Sequence, residues 1–176
     1  LSGCTIRVDK YRDAVAKACA SAAPLGGAKG DRVSLGVVAE NASSDVTATD
    51  DKDVNAEVDL TFAALTLDAD GRITSAIGDM AEPALTVAAD GGITAPEAVR
   101  TKLELGDGYG MRGASALGKE WYEHSAGYCS YLKGKTEAEA ASISADGSDP
   151  DLAALCTISI DALQKAVGDA FENAGL

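Results

Sequence analysis

The chain has 176 residues, of which 46% are hydrophobic and only 5% aromatic, so a single core of ordinary size must consist mainly of Ala, Val, Leu and Ile. Its 28 acidic residues outnumber the 15 basic ones, which gives a formal net charge of −13. Nucleic acids and anionic membranes call for clustered basic residues, which this sequence lacks, and no apolar run approaches the ~20 residues that cross a bilayer.

The N-terminal segment recurs near the other end of the chain. Residues 4–22 align with residues 156–174 without a gap, and eight of the nineteen positions are identical. In both copies a Cys-Thr-Ile run predicts a strand, and the aspartate that follows, Asp9 or Asp161, predicts a helix N-cap. Small and apolar residues then recur at helical spacing, so each copy is a predicted strand followed by an amphipathic helix.

This repeat decides how the first residues, LSGC, are interpreted. They have the form of a lipobox, but Cys4 aligns with Cys156 in mid-chain, so we expect no lipid on Cys4. We expect residues 1–24 to be the tail of a preceding module, residues 25–31 a linker and residues 32–176 one complete module. The alternative is an N-terminal helix that resembles the last helix and packs within the same domain.

Within the complete module, predicted strands come first and predicted helices follow. Alternating apolar residues and Asp-Gly turns predict two hairpins, with strands at 32–39, 54–67, 73–78, 85–89 and 93–94 and a polar loop at 40–53. Helical spacing predicts helices at 96–105, at 115–132 and from Thr136, before the closing strand and helix at 156–174. The predicted fold class is α+β, an antiparallel meander sheet with helices packed on one face.

The four cysteines form neither a CxxC pair nor a His/Cys ligand set, which argues against a zinc site. Cys129 on the predicted long helix and Cys156 before the closing strand are candidates for a disulfide within the module. Two buried, reduced thiols are the alternative.

The segment at 106–132, GDGYGMRGASALGKEWYEHSAGYCSYL, contains five of the eight aromatic residues. Glycines that lead into a helix present backbone N–H groups to an anion, so the segment indicates a phosphate cradle. Its GxGxxG lacks the preceding buried strand of a dinucleotide-binding fold, and Gly-Ala-Ser-Ala-Leu is not the GxSxG of a hydrolase. Ser115 and His124 fall on different faces of the predicted helix, so we expect no Ser–His pair and a partly exposed His124.

The stretch YGMRGASALGKEWYEHSAGYCSYLKGKT, the closing CTISIDALQKAV and the opening LGVVAEN resemble the repeated modules of PplA-like proteins. These are extracellular, flavin-carrying lipoproteins of Gram-positive bacteria, and the resemblance spans residues 32–176. It implies a module that carries FMN esterified to a side-chain hydroxyl by a flavin transferase. It also implies an electron carrier rather than an enzyme, anchored to the cell envelope through its parent protein, with a membrane electron donor and neighbouring repeat modules as partners.

The resemblance also implies roles for residues at the start of the predicted long helix. The second half of the family's transfer motif, Asp-x-x-(Ser/Gly)-Ala-(Thr/Ser), matches Gly113-Ala114-Ser115, which makes Ser115 the candidate FMN acceptor. The acidic position of the motif falls on Gly110, and the nearest acid is Asp107. The implied contacts to phosphate and flavin come from the Gly113 and Ala114 N–H groups, Arg112, Tyr109, Trp121 and Tyr122.

The residues themselves leave other interpretations open. GASALG is also typical of a small-residue helix start that allows close packing, and Trp121 is typical of a core contact between a helix and a sheet. Without a cofactor, the same module would be a structural spacer of a cell-surface protein, or would bind a small molecule in the cleft formed by its aromatic residues and glycines.

Overall fold

The computed structural model describes residue 3 and residues 5–44, 47–49, 52–145 and 148–175. Six helices and five strands are described, and a 3₁₀ turn, Gly106–Tyr109, follows the second helix. The strands are β1 (Arg32–Asn41), β2 (Val54–Leu67), β3 (Ile73–Ala81), β4 (Ala84–Val87) and β5 (Ile93–Thr94). The helices are α1 (Asp9–Ala20), α2 (Lys102–Leu105), α3 (Trp121–Tyr131), α4 (Glu137–Ala141), α5 (Pro150–Ala153) and α6 (Asp161–Ala174).

All described strand pairs are antiparallel, and β2 lies at the centre of the sheet. β1 pairs along one edge of β2, from Arg32 opposite Leu67 to Asn41 opposite Val58. On the other edge, β3 pairs with the second half of β2 and β4 pairs with its first four residues, so β3 and β4 follow one another along one edge. β5 then pairs with β4. The predicted α+β class and antiparallel sheet are confirmed.

Helix α6 packs closely on the inner face of β1 and β2. A Cβ atom at Gly36 would lie 1.9 Å from the Ala166 carbonyl oxygen and 2.5 Å from the Ala170 nitrogen, so only glycine allows this approach. The Ser34 hydroxyl donates a hydrogen bond of 2.6 Å to the Ala170 carbonyl, which satisfies this buried side chain. The core therefore lies between the inner face of the sheet and α6 and α3.

The apolar pattern of α6 explains its place in this core. Its buried residues recur at i, i+3, i+4, i+7 and i+8, which places them on one face of a helix. They are Leu163, Ala166, Val167, Ala170 and Phe171. From α3, Tyr128 and Leu132 add fully buried surface to the same core.

Four predicted elements differ from the structure. The strand predicted before α1 is absent, because residues 5–8 form no strand. Residues 157–160 form no strand; Ile160 caps α6 without a side-chain hydrogen bond, and Asp161 is the first helical residue. The predicted helix at 96–105 is reduced to α2, which begins after a capping box between Thr101 and Glu104. The predicted helix at 115–132 begins only at α3, because residues 111–120 form a hydrogen-bonded loop.

Cys129 and Cys156 are both buried and carry free thiols, as the second of the two interpretations of these cysteines requires. Burial raises the pKa of Cys129 to about 11 and also raises the pKa of Cys156. Cys19 is exposed and free, and Cys4 lies outside the described residues. None of the described helices combines the length and apolar character that crossing a membrane requires.

Candidate functional site

The loop at 111–120 is organised by the buried carboxylate of Glu120, which is 2% exposed. Its two oxygens accept hydrogen bonds of 3.0 Å from the backbone N–H groups of Met111 and Arg112. The same side chain forms a capping box with Glu123 at the start of α3. One buried side chain thus connects the loop to the N-terminus of the helix.

Ser115 lies on this loop, where its hydroxyl is surrounded by hydrogen-bond donors. Ser115 Oγ lies 2.8 Å from Nε2 of His124. It also accepts hydrogen bonds from the backbone N–H groups of Lys119 at 3.2 Å and Leu117 at 3.3 Å. The prediction that Ser115 and His124 stay apart is wrong. It assumed one continuous helix, whereas α3 begins at Trp121 and the loop folds back over it.

His124 is fully buried, which corrects the expected partial exposure. Its Nδ1 accepts a hydrogen bond of 3.2 Å from the backbone N–H of Thr157. Because a backbone N–H can only donate, Nδ1 carries no proton, and the proton of the neutral ring lies on Nε2. Burial and the nearby charge of Lys119 lower the pKa of His124, which favours this neutral form.

The tautomer of His124 determines what the pair can do chemically. A general base in a serine hydrolase accepts the hydroxyl proton through an unprotonated nitrogen. Here Nε2 is the donor, so His124 holds Ser115 Oγ as an acceptor and does not activate it as a base. Ser115 is half-buried, and its neighbours on the loop at 112–114 and 116–118 are exposed. The site therefore anchors the hydroxyl of a half-buried serine on a loop whose neighbouring residues are exposed.

Arg112, the expected partner of a phosphate, is surrounded by carboxylates. Its guanidinium lies 2.9 Å from both Asp107 and Glu123 and 3.9 Å from Glu120, and it donates a hydrogen bond of 3.0 Å to the Gly118 carbonyl. The hydrogen bond with Asp107 is the main reason that the pKa of Arg112 is raised. A phosphate at Ser115 would have to compete with these groups for Arg112.

The other expected phosphate contacts are backbone groups. The N–H group of Ala114 donates a hydrogen bond of 2.9 Å to the Met111 carbonyl, so it is engaged within the loop. Gly113 is exposed, and a Cβ atom there would meet nothing within 4 Å. The structure thus leaves open space at Gly113, while the Ala114 N–H already has an acceptor.

The three aromatic candidates occupy different environments. Trp121 is 6% exposed and belongs to the core, and Tyr109 is half-buried against that core. The ammonium of Lys102 lies 4.8 Å from the ring centroid of Tyr109 and 5.4 Å from that of Trp121. Tyr122 donates a hydrogen bond of 3.2 Å to Asp107. Tyr109 and Tyr122 border the Ser115 loop, whereas Trp121 supports it from the core.

Sequence reasoning missed Glu120 and Thr157 as parts of this site. The role of Glu120 could be predicted only together with the loop, because its hydrogen-bond partners are backbone groups eight and nine residues earlier in the chain. Thr157 had a signal: it lies in the Cys-Thr-Ile run that the chain repeats, and it precedes α6 as an exposed residue. Its backbone N–H sets the tautomer of His124, and its exposed side chain carries a hydroxyl.

Comparison with known proteins adds one short similarity. The chain is 54% identical over 39 residues to a protein named chlorophenol reductase from Desulfitobacterium hafniense. This match covers 22% of the chain and 12% of that protein, so the chain spans a small part of the relative's length. No family model and no solved structure matches the chain.

Proposed function

We propose that the chain is an extracytoplasmic electron-transfer module that carries FMN esterified to the hydroxyl of Ser115. The supporting observation is the placement of this hydroxyl on an exposed loop, where His124 and two backbone N–H groups hold its oxygen in one position. A transferase needs a hydroxyl in a defined orientation, and these hydrogen bonds give Ser115 one. When bound, the flavin would supply the redox chemistry, and the protein would set its position and solvent access.

The charges around the loop favour covalent attachment over reversible binding. Asp107, Glu120 and Glu123 surround Arg112, so this cation would attract a dissociated phosphate only weakly. An ester bond does not depend on such attraction. We therefore expect free FMN to bind weakly and the esterified form to be retained through denaturation.

The partners follow from this proposal. A flavin transferase would install the cofactor, a membrane electron donor would reduce it, and neighbouring modules would belong to the same cell-surface protein. A protein named as a reductase is similar to a short part of this sequence, which agrees with a redox role. We propose a carrier role for the module, in which His124 Nε2 donates to Ser115 and does not act as a general base.

The test is co-expression with a flavin transferase, followed by peptide mapping with mass spectrometry. We expect the peptide that contains Ser115 to gain the mass of FMN minus one water, and Ser115→Ala to abolish the gain. Thr157→Val is the matched control, since it removes an exposed hydroxyl and keeps the backbone N–H group that donates to His124.

Each outcome of the mapping has a distinct meaning. Modification of a peptide that contains Thr157 would keep the flavin-carrier class and overturn the assignment to Ser115. An unmodified chain, under conditions that label a known substrate of the transferase, would overturn both. The carboxylates around Arg112 would then favour the cofactor-free spacer as the function.

A further inference from the structure

The first and last helices start with the same backbone geometry. The residue before α1, Val8, has φ −108° and ψ 2°, and the residue before α6, Ile160, has φ −103° and ψ 1°. Neither residue makes a side-chain capping bond, and an aspartate begins both helices. The sequence repeat at residues 4–22 and 156–174 is therefore matched by a structural one over the described residues.

The two helices differ in what covers their apolar faces. The face of α6 is buried against the sheet, whereas α1 buries none of its residues. The aligned positions on α1, called the α1 stripe below, are Tyr11, Ala14, Val15, Ala18 and Cys19. Tyr11 is 64% exposed and Val15 is 63% exposed, where their counterparts Leu163 and Val167 are buried.

The described part of the chain has no room for the α1 stripe on its own sheet. The inner face of β1 and β2 is covered by α6, whose backbone lies directly against Gly36. On the side of its own module, α1 borders an open cleft of about 720 Å³, and Ala14 and Ala18 of the α1 stripe line this cleft without being buried in it. An ion pair between Lys17 and Glu104 spans the same region. An exposed ion pair of this kind contributes little to packing.

The charge of the N-terminal segment is complementary to the rest of the chain. Residues 1–31 contain five basic and three acidic residues, whereas residues 32–176 contain ten basic and 25 acidic residues. A helix of this composition suits an acidic module of the same kind, because opposite net charges favour the contact at its rim.

We infer that residues 5–22 form the closing helix of an adjoining copy of this fold, encoded directly upstream, and that the α1 stripe packs on the inner face of that copy's sheet. We expect the contact between the α1 stripe and that sheet to resemble the contact between α6 and β1 in this module. The adjoining copy then has an acidic body similar to residues 32–176. Residues 25–31 join its last helix to the first strand of this module.

The test compares two proteins: the 176-residue chain and the same chain extended by its natural upstream sequence. A thiol reagent is added to each native protein, and mass spectrometry follows the labelling of Cys19. We expect Cys19 to react at least about tenfold more slowly in the longer protein, because the contact with the second sheet would exclude solvent.

A thiol on the other side of α1 is the control. Ala20 aligns with Glu172, which is exposed on α6, so a thiol introduced by Ala20→Cys in a Cys19→Ser background should react equally in both proteins. Equal rates at Cys19 in the two proteins would overturn the inference. An upstream sequence without a homologous copy of residues 32–156 would overturn it as well.

Discussion

Ser115 and His124 are joined by a hydrogen bond of 2.8 Å in which the imidazole is the donor, because the Thr157 N–H occupies the other ring nitrogen. Three segments of the chain meet at this ring: the loop at 111–120, helix α3 and the residues before α6. His124 therefore both anchors the candidate acceptor hydroxyl and connects the loop to the end of the fold.

The lowered pKa of His124 predicts a loss of stability in mild acid. The folded protein holds the imidazole neutral, while the unfolded chain protonates it near pH 6.5. The unfolded state thus binds more protons below this pH, and the free energy of unfolding falls as the pH drops from 6.5 toward the lower pKa of the folded state. Above pH 6.5 this contribution is fully present. Urea unfolding at a series of pH values measures it.

His124→Gln is the comparison for that pH series, because glutamine does not titrate and its amide can still donate to Ser115. The carboxylates of Glu104, Glu123, Glu139 and Asp149 have lowered pKa values, so their stabilisation is lost at more acidic pH. We expect the slope between pH 6.5 and 5 to be smaller in the variant than in the natural sequence. Equal slopes would show that His124 does not titrate on unfolding.

Removing the carboxylate of Glu120 should loosen the Ser115 loop. Glu120→Ala leaves the N–H groups of Met111 and Arg112 without their acceptor, and we expect a loss of about 2–4 kcal/mol in the free energy of unfolding. Denaturant unfolding measures the loss, and limited proteolysis shows whether cleavage shifts to 111–120. Glu137→Ala, at an exposed position of α4, is the control and should change stability by less than about 0.5 kcal/mol. Equal effects of the two substitutions would contradict the role of Glu120.

The sheet and the last helix were predictable because their signals are local. Alternation and Asp-Gly turns gave β2 its exact bounds at 54–67, and apolar residues at helical spacing marked the buried face of α6. The Ser115 loop was not predictable in this way. Its order depends on Glu120, a side chain that reaches back to backbone groups eight and nine residues away, and periodicity does not record such contacts.

The candidate site shows the same division between local and long-range information. The resemblance pointed to Ser115, Arg112 and the surrounding aromatic residues before the fold was known. The donor role of His124 depends on Thr157, which lies 33 residues later in the chain. The helix predicted over 115–132 would place Ser115 and His124 on different faces. In the structure α3 begins only at Trp121, and the loop before it brings the two side chains into contact.

The three described cysteines should differ sharply in reactivity. Cys19 is exposed, whereas Cys129 and Cys156 are buried and burial raises their pKa values, so both accessibility and thiolate content are low. We expect a thiol reagent at pH 8 to label Cys19 in the native 176-residue chain and to label the other two only after unfolding. Peptide mapping identifies the labelled residues. A disulfide between Cys129 and Cys156 would leave both unlabelled in denaturant without reductant, contrary to this prediction.

The contact between Gly36 and α6 allows a paired test of core packing with two substitutions of the same kind. Gly36→Ala places a Cβ atom within 1.9 Å of the Ala166 carbonyl oxygen, so the helix must move away from the sheet. We expect a loss of at least about 3 kcal/mol, as for severe overpacking of a core. Gly168→Ala meets nothing within 4 Å and lies in the interior of α6, where alanine is favoured over glycine by about 1 kcal/mol.

The pair separates packing from helix propensity, because each change adds one methyl group, at Gly36 into the contact between β1 and α6 and at Gly168 into open space beside α6. Thermal unfolding should show a large decrease in the melting temperature for Gly36→Ala and a small increase for Gly168→Ala. If Gly36→Ala were neutral, α6 could not lie against β1 as the Ser34 hydrogen bond to Ala170 indicates. That outcome would also contradict the packing proposed for the α1 stripe, because this packing is inferred from the contact between α6 and β1.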